Sequence, residues 1–234
     1  MSETAAFEAS SGVRLVSPKR SLVVFASFLL AITIALGLAV TFGFGLMVER
    51  SLLKSIAFRQ NVTNDALIEL ARWVTWMGDA SQRSLVMVVF AAWLMWRRRL
   101  WAALVMVVVP PLAGAGSSLL KEAFARARPD VVPHLDLVTN LSFPSGHATN
   151  GMATYLLAAL LIAPARRSLA LVLAFLFAGA IGASRMLLGV HWPSDVLGGW
   201  LWGAGFALLG LWMAEKREAL SKGETKPDPD VPAR

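Results

Sequence analysis

The chain contains no cysteine among its 234 residues, which excludes disulfide bonds and thiolate metal sites. Charge is also scarce, since only 16% of the residues are Asp, Glu, Lys or Arg, whereas soluble domains carry about 25%. Hydrophobic residues make up 56% of the chain. This combination is typical of an integral membrane protein rather than of a soluble domain.

The net charge of +7 would suit a nucleic-acid partner, but its distribution argues against one. The basic residues stand beside apolar runs instead of following one soluble face, which is the pattern that membrane topology produces. We therefore expect no nucleic-acid partner, and the sequence indicates no obligate protein partner.

The apolar runs predict an all-α, integral membrane bundle of six transmembrane helices. The first run, from Ser21 to Val48, has no charged residue and exceeds the ~20 residues that a span requires. The other five predicted spans cover about residues 84–96, 100–120, 147–163, 168–185 and 193–214. Residues 21–214 form the predicted membrane domain, between cytoplasmic tails 1–20 and 215–234, of which the second is polar and predicted to be disordered.

The segment Asp65 to Met77 has two interpretations. Its apolar residues recur at helical spacing beside Trp73 and Trp76, and tryptophan favours the headgroup zone of a bilayer. An amphipathic helix in the membrane interface fits this pattern. An early start to the second span fits it equally well.

Basic clusters predict the orientation. Six spans place both termini on one side, together with four clusters, Lys19-Arg20, Arg97 to Arg99, Arg166-Arg167 and Lys216-Arg217. The positive-inside rule makes that side cytoplasmic. The polar residues that carry the chemistry then lie on the opposite face.

Three short motifs in the second half of the chain supply those residues. Their patterns are K-x6-R-P, P-S-G-H and S-R-x5-H-x3-D, and their functional members are Lys121, Arg128, Ser145, Gly146, His147, Arg185, His191 and Asp195. Together they offer three cations, two of the three histidines in the chain and one carboxylate. This is the set that phosphoryl transfer through a phosphohistidine requires.

The spacing within the motifs supports that chemistry. Ser145-Gly146 opens the fourth predicted span, and the N-terminus of a helix presents unpaired N–H groups and a positive dipole end to an anion. His191 and Asp195 are four residues apart at the start of the sixth span. In a near-helical turn the carboxylate would meet the imidazole and fix its tautomer.

In this order, the motifs resemble the signature of the type 2 phosphatidic acid phosphatase family, integral-membrane lipid phosphatases related to bacterial acid phosphatases and vanadium haloperoxidases. The resemblance implies that His191 is the nucleophile, Asp195 orients it, and His147 protonates the leaving oxygen and then activates water. The remaining motif residues would bind the phosphate oxygens; they are Lys121, Arg128, Arg185, Ser145 and the backbone of Gly146. Because three cations can neutralise the phosphate, we expect no metal and no cofactor.

The expected substrate is a lipid phosphate, either a phosphomonoester or a diphosphate, drawn from the surrounding membrane lipids. Phosphatidic acid, phosphatidylglycerol phosphate, undecaprenyl diphosphate and a lipid A phosphate all fit. An outward-facing site on a compact chain predicts a bacterial inner (plasma) membrane protein with its site towards the periplasm. Two other interpretations remain open, a vanadate-dependent haloperoxidase-like enzyme and a catalytically idle transport or scaffold protein.

Overall fold

The computed structural model describes residues 20–162 and 164–221, and these residues form helices and loops without a strand. The helices run in the order α1 Arg20–Thr41, α2 Leu46–Ile56, α3 Asp65–Trp76, α4 Ala80–Trp96, α5 Leu100–Phe124, α6 Gly146–Leu161, α7 Pro164–Leu187 and α8 Pro193–Ser221. Four of them, α1, α5, α7 and α8, are long and apolar enough to cross a membrane, and α4 is a shorter apolar helix.

Helix α6 is the centre of the bundle and packs against α5, α7 and α8. Its contact with α8 depends on small residues, because a Cβ at Gly203 would lie 2.3 Å from the carbonyl oxygen of Thr149. A Cβ at Gly199 would likewise lie 2.6 Å from the oxygen of Ser145. Such close approach is how helices pack in lipid, and it fixes the start of α6 against the start of α8.

The uncharged run that predicted one span over Ser21 to Val48 is divided in the structure. Helix α1 ends at Thr41, and α2 begins at Leu46. Gly43 and Gly45 between them both have φ of 77°, a left-handed conformation that glycine adopts without steric penalty. The first predicted span was therefore too long at its C-terminal end, because hydropathy does not register the turn.

The segment 65–77 is a separate helix rather than an early start to α4. Helix α3 begins at Asp65, where the Asn64 side chain accepts a hydrogen bond from the amide of Ala66, and it ends at Trp76. The chain then turns through Gly78, where an added Cβ would lie 2.7 Å from Ile181. This tight turn brings Asp79 to the end of the bundle where α6 begins.

Helix α8 extends further than the predicted sixth span, from Pro193 to Ser221 rather than to Ala214. One reason is a tertiary contact, since Arg99 Nε donates to Glu218 Oε1 over 2.9 Å. Arg99 also donates to the carbonyl oxygen of Leu161 at the end of α6. Of the predicted tails, residues 1–19 and 222–234 lie outside the described residues.

Candidate active site

A cavity of about 490 Å³ opens at the end of the bundle where α5, α7 and the loop after α7 meet the start of α6. Six of the eight residues predicted from the motifs line it: Lys121, Arg128, Gly146, His147, Arg185 and His191. The other two, Ser145 and Asp195, are completely buried directly behind it. Three sequence segments that are distant along the chain thus meet at one site.

The loop between α7 and α8 positions His191. Gly189 in this loop has φ of 76°, and a Cβ there would lie 2.7 Å from the carbonyl oxygen of Pro133. The chain then enters α8 at Pro193, so that Asp195 lies in the first helical turn. Asp195 Oδ2 lies 3.3 Å from His191 Nδ1, which is the pairing that the four-residue spacing predicted.

Asp195 is held by further donors that the motifs did not indicate. Its Oδ2 accepts from the amide of Trp192 over 2.8 Å and from the hydroxyl of Ser142. Its Oδ1 accepts from Arg126 Nη1 over 2.6 Å. With its carboxylate charge balanced and its position fixed, Asp195 holds the imidazole of His191 with Nδ1 towards the protein and Nε2 towards Arg128 and the cavity.

Burial lowers the pKa of His191 to about 3, and the hydrogen bond and charge of Asp195 only partly oppose this effect. The imidazole is therefore neutral at physiological pH. A neutral imidazole with a proton on Nδ1 leaves a lone pair on Nε2, the form that a nucleophile needs.

Two of the predicted cations, Lys121 and Arg128, lie beside His191 and are fixed by carbonyl groups of the loops. Lys121 Nζ donates to the oxygens of Leu141 and Ser142 over 2.5 and 3.2 Å. Arg128 Nη1 donates to Val190 over 2.6 Å and lies 3.3 Å from His191 Nε2. Burial, then the charge of Arg185, lower the pKa of Arg128 to about 10, so it stays cationic at neutral pH.

The third predicted cation, Arg185, is buried at the end of α7. Its Nη1 donates to Thr75 Oγ1 over 2.7 Å and to Asp136 Oδ2 over 2.5 Å. Arg185 Nε is buried without a partner among the described residues. The ion pair with Asp136 means that an incoming phosphate shares this guanidinium with a carboxylate already present.

His147 lies in the first turn of α6 and lines the same cavity as His191. Its Nε2 is 2.8 Å from Asp79 Oδ1, and Asp79 is nearly half exposed. The imidazole of His147 therefore has a carboxylate as its hydrogen-bond partner where it lines the cavity.

Ser145 and Gly146 differ from each other in what they offer an anion. The amide of Ser145 is already used, because it donates to the backbone oxygen of Asp195 over 2.8 Å. The hydroxyl of Ser145 is buried without a partner. A Cβ at Gly146 would meet no atom within 4 Å, so its backbone faces open cavity.

The sequence motifs did not indicate Glu49 or Arg126, which lie behind the site. Arg126 Nη2 donates to Glu49 Oε2 over 2.5 Å, and Glu49 Oε1 accepts from the amide of Ser194 over 2.9 Å. One signal was present, since Glu49 is the first acidic residue after the long uncharged run that begins at Ser21. A charge that the fold buries needs a partner.

No group of three or more His, Asp or Glu side chains among residues 20–162 and 164–221 is arranged to hold a metal ion. His134, the third histidine, lies in the loop after α5, with Nε2 2.7 Å from the oxygen of Pro129. The cavity is lined by cations and two imidazoles, together with the carboxylates of Asp79 and Asp136.

Comparison with known proteins agrees with this fold and these motifs. The PAP2 superfamily model matches residues 99–219. Phosphatidylglycerophosphatase B of Bacillus subtilis is 32% identical over 139 residues, which are 57% of this chain and 68% of that protein. Decaprenylphosphoryl-5-phosphoribose phosphatase of Mycobacterium tuberculosis is 40% identical over 111 residues, 46% of this chain and 58% of that protein.

A solved structure has the same fold. The crystal structure of a transmembrane PAP2 type phosphatidylglycerolphosphate phosphatase from Bacillus subtilis superimposes with a TM-score of 0.72 at 24% identity, over 85% of this chain and 96% of that one. The fold and the site thus define an integral membrane phosphatase architecture. The chain belongs to the PAP2 superfamily, and the predicted family is confirmed.

Proposed function

We propose that this protein hydrolyses a lipid phosphate through a phosphohistidine formed on His191. The chain is a membrane lipid phosphatase, as its family membership and its relatives indicate. The observation that carries the proposed mechanism is the geometry of His191, with Nδ1 on a buried carboxylate and Nε2 beside Arg128 at the cavity. The roles of the other site residues are those that the family resemblance implies, and six of the eight motif residues line the same cavity.

In the first step, His191 Nε2 forms a bond to phosphorus while the bond from phosphorus to the leaving oxygen breaks. His147 gives its proton to that oxygen. In the second step, a water molecule gives a proton back to His147 and attacks phosphorus, and the phosphorus–nitrogen bond breaks to release phosphate. Asp195 stabilises the positive imidazole that exists between the two steps.

Positioning and charge compensation carry most of the catalysis in phosphoryl transfer. Lys121, Arg128 and Arg185 all line the cavity, and we assign them to the equatorial oxygens of the phosphate. The hydroxyl of Ser145 and the backbone of Gly146 complete this phosphate site. Arginine suits it because its planar fork of donors matches phosphate oxygens.

The substrate class follows from the position of the cavity at the end of an apolar bundle, where a phosphorylated headgroup can enter while its tail stays in lipid. We propose a glycerophospholipid phosphate, such as phosphatidylglycerol phosphate or phosphatidic acid, or a prenyl diphosphate. The name of the first relative falls in the glycerophospholipid class, and the name of the second describes a phosphorylated sugar on a prenyl carrier. A lipid A phosphate is the remaining alternative.

We propose a six-span arrangement, in which α4 and α6 cross together with the four long helices. With 17 and 16 residues, they are about 24–26 Å long, somewhat less than the ~30 Å hydrocarbon core. Helix α6 is buried on most of its surface, so protein rather than lipid surrounds it. The membrane domain is then 21–214, with the tails 1–20 and 215–234 in the cytoplasm and the cavity facing the periplasm of a bacterial inner membrane.

The test is phosphate release from four lipids in detergent: phosphatidic acid, phosphatidylglycerol phosphate, undecaprenyl diphosphate and a lipid A phosphate. We expect turnover of at least one glycerophospholipid or prenyl substrate, and none by His191→Ala. Turnover of any of these lipids by His191→Ala at the wild-type rate would refute the mechanism. Folding of the variant is checked by its melting temperature.

A further inference from the structure

A second cavity lies in a crevice between α4 and α7, which follows most of the length of α4. Its volume is about 1010 Å³, twice that of the candidate active site. Helix α4 packs on α5 and α6, and helix α7 packs on α3, α6 and α8, but α4 and α7 scarcely touch each other. The crevice is therefore a gap in the lateral wall of the bundle.

The walls of the crevice are apolar and exposed. Leu85 and Val89 of α4 are 65% and 60% exposed, and Leu169 and Leu173 of α7 are 66% and 56% exposed. On α4 the lining runs from Leu85 to Arg97, about 18 Å at 1.5 Å per residue. That is close to one half of the ~30 Å hydrocarbon core, the depth that one acyl chain spans.

One end of the crevice is basic. Arg97, Arg99 and Arg166 line it, and its described lining includes no acidic side chain. Arg99 is fixed by Glu218 and the oxygen of Leu161. Neither Arg97 nor Arg166 makes a side-chain hydrogen bond or ion pair within residues 20–162 and 164–221, so two guanidinium groups are available beside an apolar gap.

We propose that this crevice binds an anionic glycerophospholipid, with its phosphate between Arg97 and Arg166 and an acyl chain along α4. Lipid tails are as apolar as the walls, so the chain contacts give little selectivity. Selectivity comes from the guanidinium groups, which bind phosphate oxygens by charge-assisted hydrogen bonds.

This site is separate from the catalytic one. Helix α4 has 17 residues, and it lies between Asp79, at the catalytic cavity, and Arg97. The 18 residue steps from Asp79 to Arg97 correspond to about 27 Å. A phosphate held by Arg97 is therefore out of reach of His191, and the bound lipid is a resident of the bundle rather than a substrate.

The test uses the full-length protein in detergent, titrated with phosphatidylglycerol or with phosphatidylcholine of the same acyl chains, with bound lipid counted by native mass spectrometry. We expect phosphatidylglycerol to be preferred. The Arg97→Gln/Arg166→Gln variant should lose about 25-fold in its apparent affinity for phosphatidylglycerol, about fivefold for each arginine. Arg97→Lys, which keeps the charge, should lose less than Arg97→Gln.

Arg98→Gln is the matched control, because Arg98 belongs to the same basic cluster but does not line the crevice. It should bind phosphatidylglycerol as the wild type does. The catalytic cavity is unaltered in all these variants, so any lipid bound there contributes equally to the bound lipid counted for each variant. If the double variant does not fold, the single variants Arg97→Gln and Arg166→Gln carry the same comparison.

A variant that fills the crevice tests the apolar part. Ala170→Phe should reduce the retention of both lipids, since Ala170 lines the gap. Equal losses in Arg98→Gln and Arg97→Gln, or no preference for phosphatidylglycerol over phosphatidylcholine, would overturn the proposal. The proposal would also be wrong if the wild type formed a dimer in detergent and Ala170→Phe dissociated it. The occupant of the crevice would then be a second copy of the chain.

Discussion

Replacing Asp195 by Asn removes the negative charge beside His191 while preserving the size of the side chain. Asp195 Oδ2 lies 3.3 Å from His191 Nδ1 and accepts from the amide of Trp192 over 2.8 Å. An amide at this position no longer fixes the tautomer of the imidazole or stabilises its positive charge. We expect kcat to fall by about 10⁴, the loss seen when a catalytic triad loses its aspartate charge.

The same substitution also removes one of the two carboxylates that surround the buried Arg126. Arg126 Nη1 lies 2.6 Å from Asp195, and Nη2 lies 2.5 Å from Glu49. Breaking a buried ion pair costs about 3–5 kcal/mol when the remaining charge is left alone. Because Glu49 still pairs with Arg126, we expect the free energy of unfolding to fall by about 3 kcal/mol, near the lower end of this range.

Glu49→Gln separates the two effects. It removes the other carboxylate of Arg126, and Glu49 makes no hydrogen bond to His191. We expect a similar loss of thermal stability in detergent but activity within about tenfold of the wild type. Both variants are assayed by phosphate release from a short-chain lipid phosphate below the lower of their melting temperatures.

The reasoning is wrong if Glu49→Gln loses as much activity as Asp195→Asn. That result would mean that Arg126, rather than the tautomer of His191, carries the effect. Wild-type activity in Asp195→Asn would also contradict the reasoning, because the mechanism would then not depend on the carboxylate of Asp195.

Three further predictions concern topology, the intermediate and metals. Because the chain has no cysteine, an impermeant thiol reagent on intact cells should label a single cysteine at Ala127 and not one at Arg98; the reverse labelling would contradict the orientation. His191→Ala should form no phosphoenzyme, whereas His147→Ala should still form one from a substrate with a good leaving group, since that step then needs little acid assistance. Activity on a detergent-solubilised short-chain lipid should survive EDTA and be inhibited by vanadate, which mimics the transferring group; a loss to EDTA that magnesium restores would refute the three-cation site.

The local parts of the site could be predicted from the sequence. His191 and Asp195 are four residues apart at a helix start, so the geometry of one helical turn brings them together. Gly146 and His147 follow from the same logic, since the P-S-G-H motif opens α6. Short-range spacing determines these contacts, and short-range spacing can be read from a single sequence.

Contacts that depend on how the bundle closes could not be predicted. Asp79 and His147 are 68 residues apart, and Glu49 and Ser194 are 145 residues apart. Hydropathy also placed the first residues of α2 inside the first span, because it does not register a turn at two left-handed glycines. Helix packing decides which carboxylate meets which cation, and one sequence does not contain that information in a readable form.

The last prediction concerns pH and stability. Burial lowers the pKa of His191 to about 3 in the folded protein, whereas an unfolded histidine titrates near 6.5. Between these two values the unfolded state binds one more proton than the folded state. Stability therefore rises with pH through this window and is lost as the pH falls below about 6.5, by at most ~1.4 kcal/mol per pH unit for this group.

The measurement is the melting temperature in detergent between pH 7.5 and pH 4.5, for the wild type and for His191→Gln. Other groups titrate in the same range, so the comparison is between slopes. His134→Gln is the control, since His134 is an exposed loop residue. The decrease towards acid pH should be shallower in His191→Gln than in the other two proteins. Parallel curves for all three would mean that burial does not lower the pKa of His191 below that of an unfolded histidine.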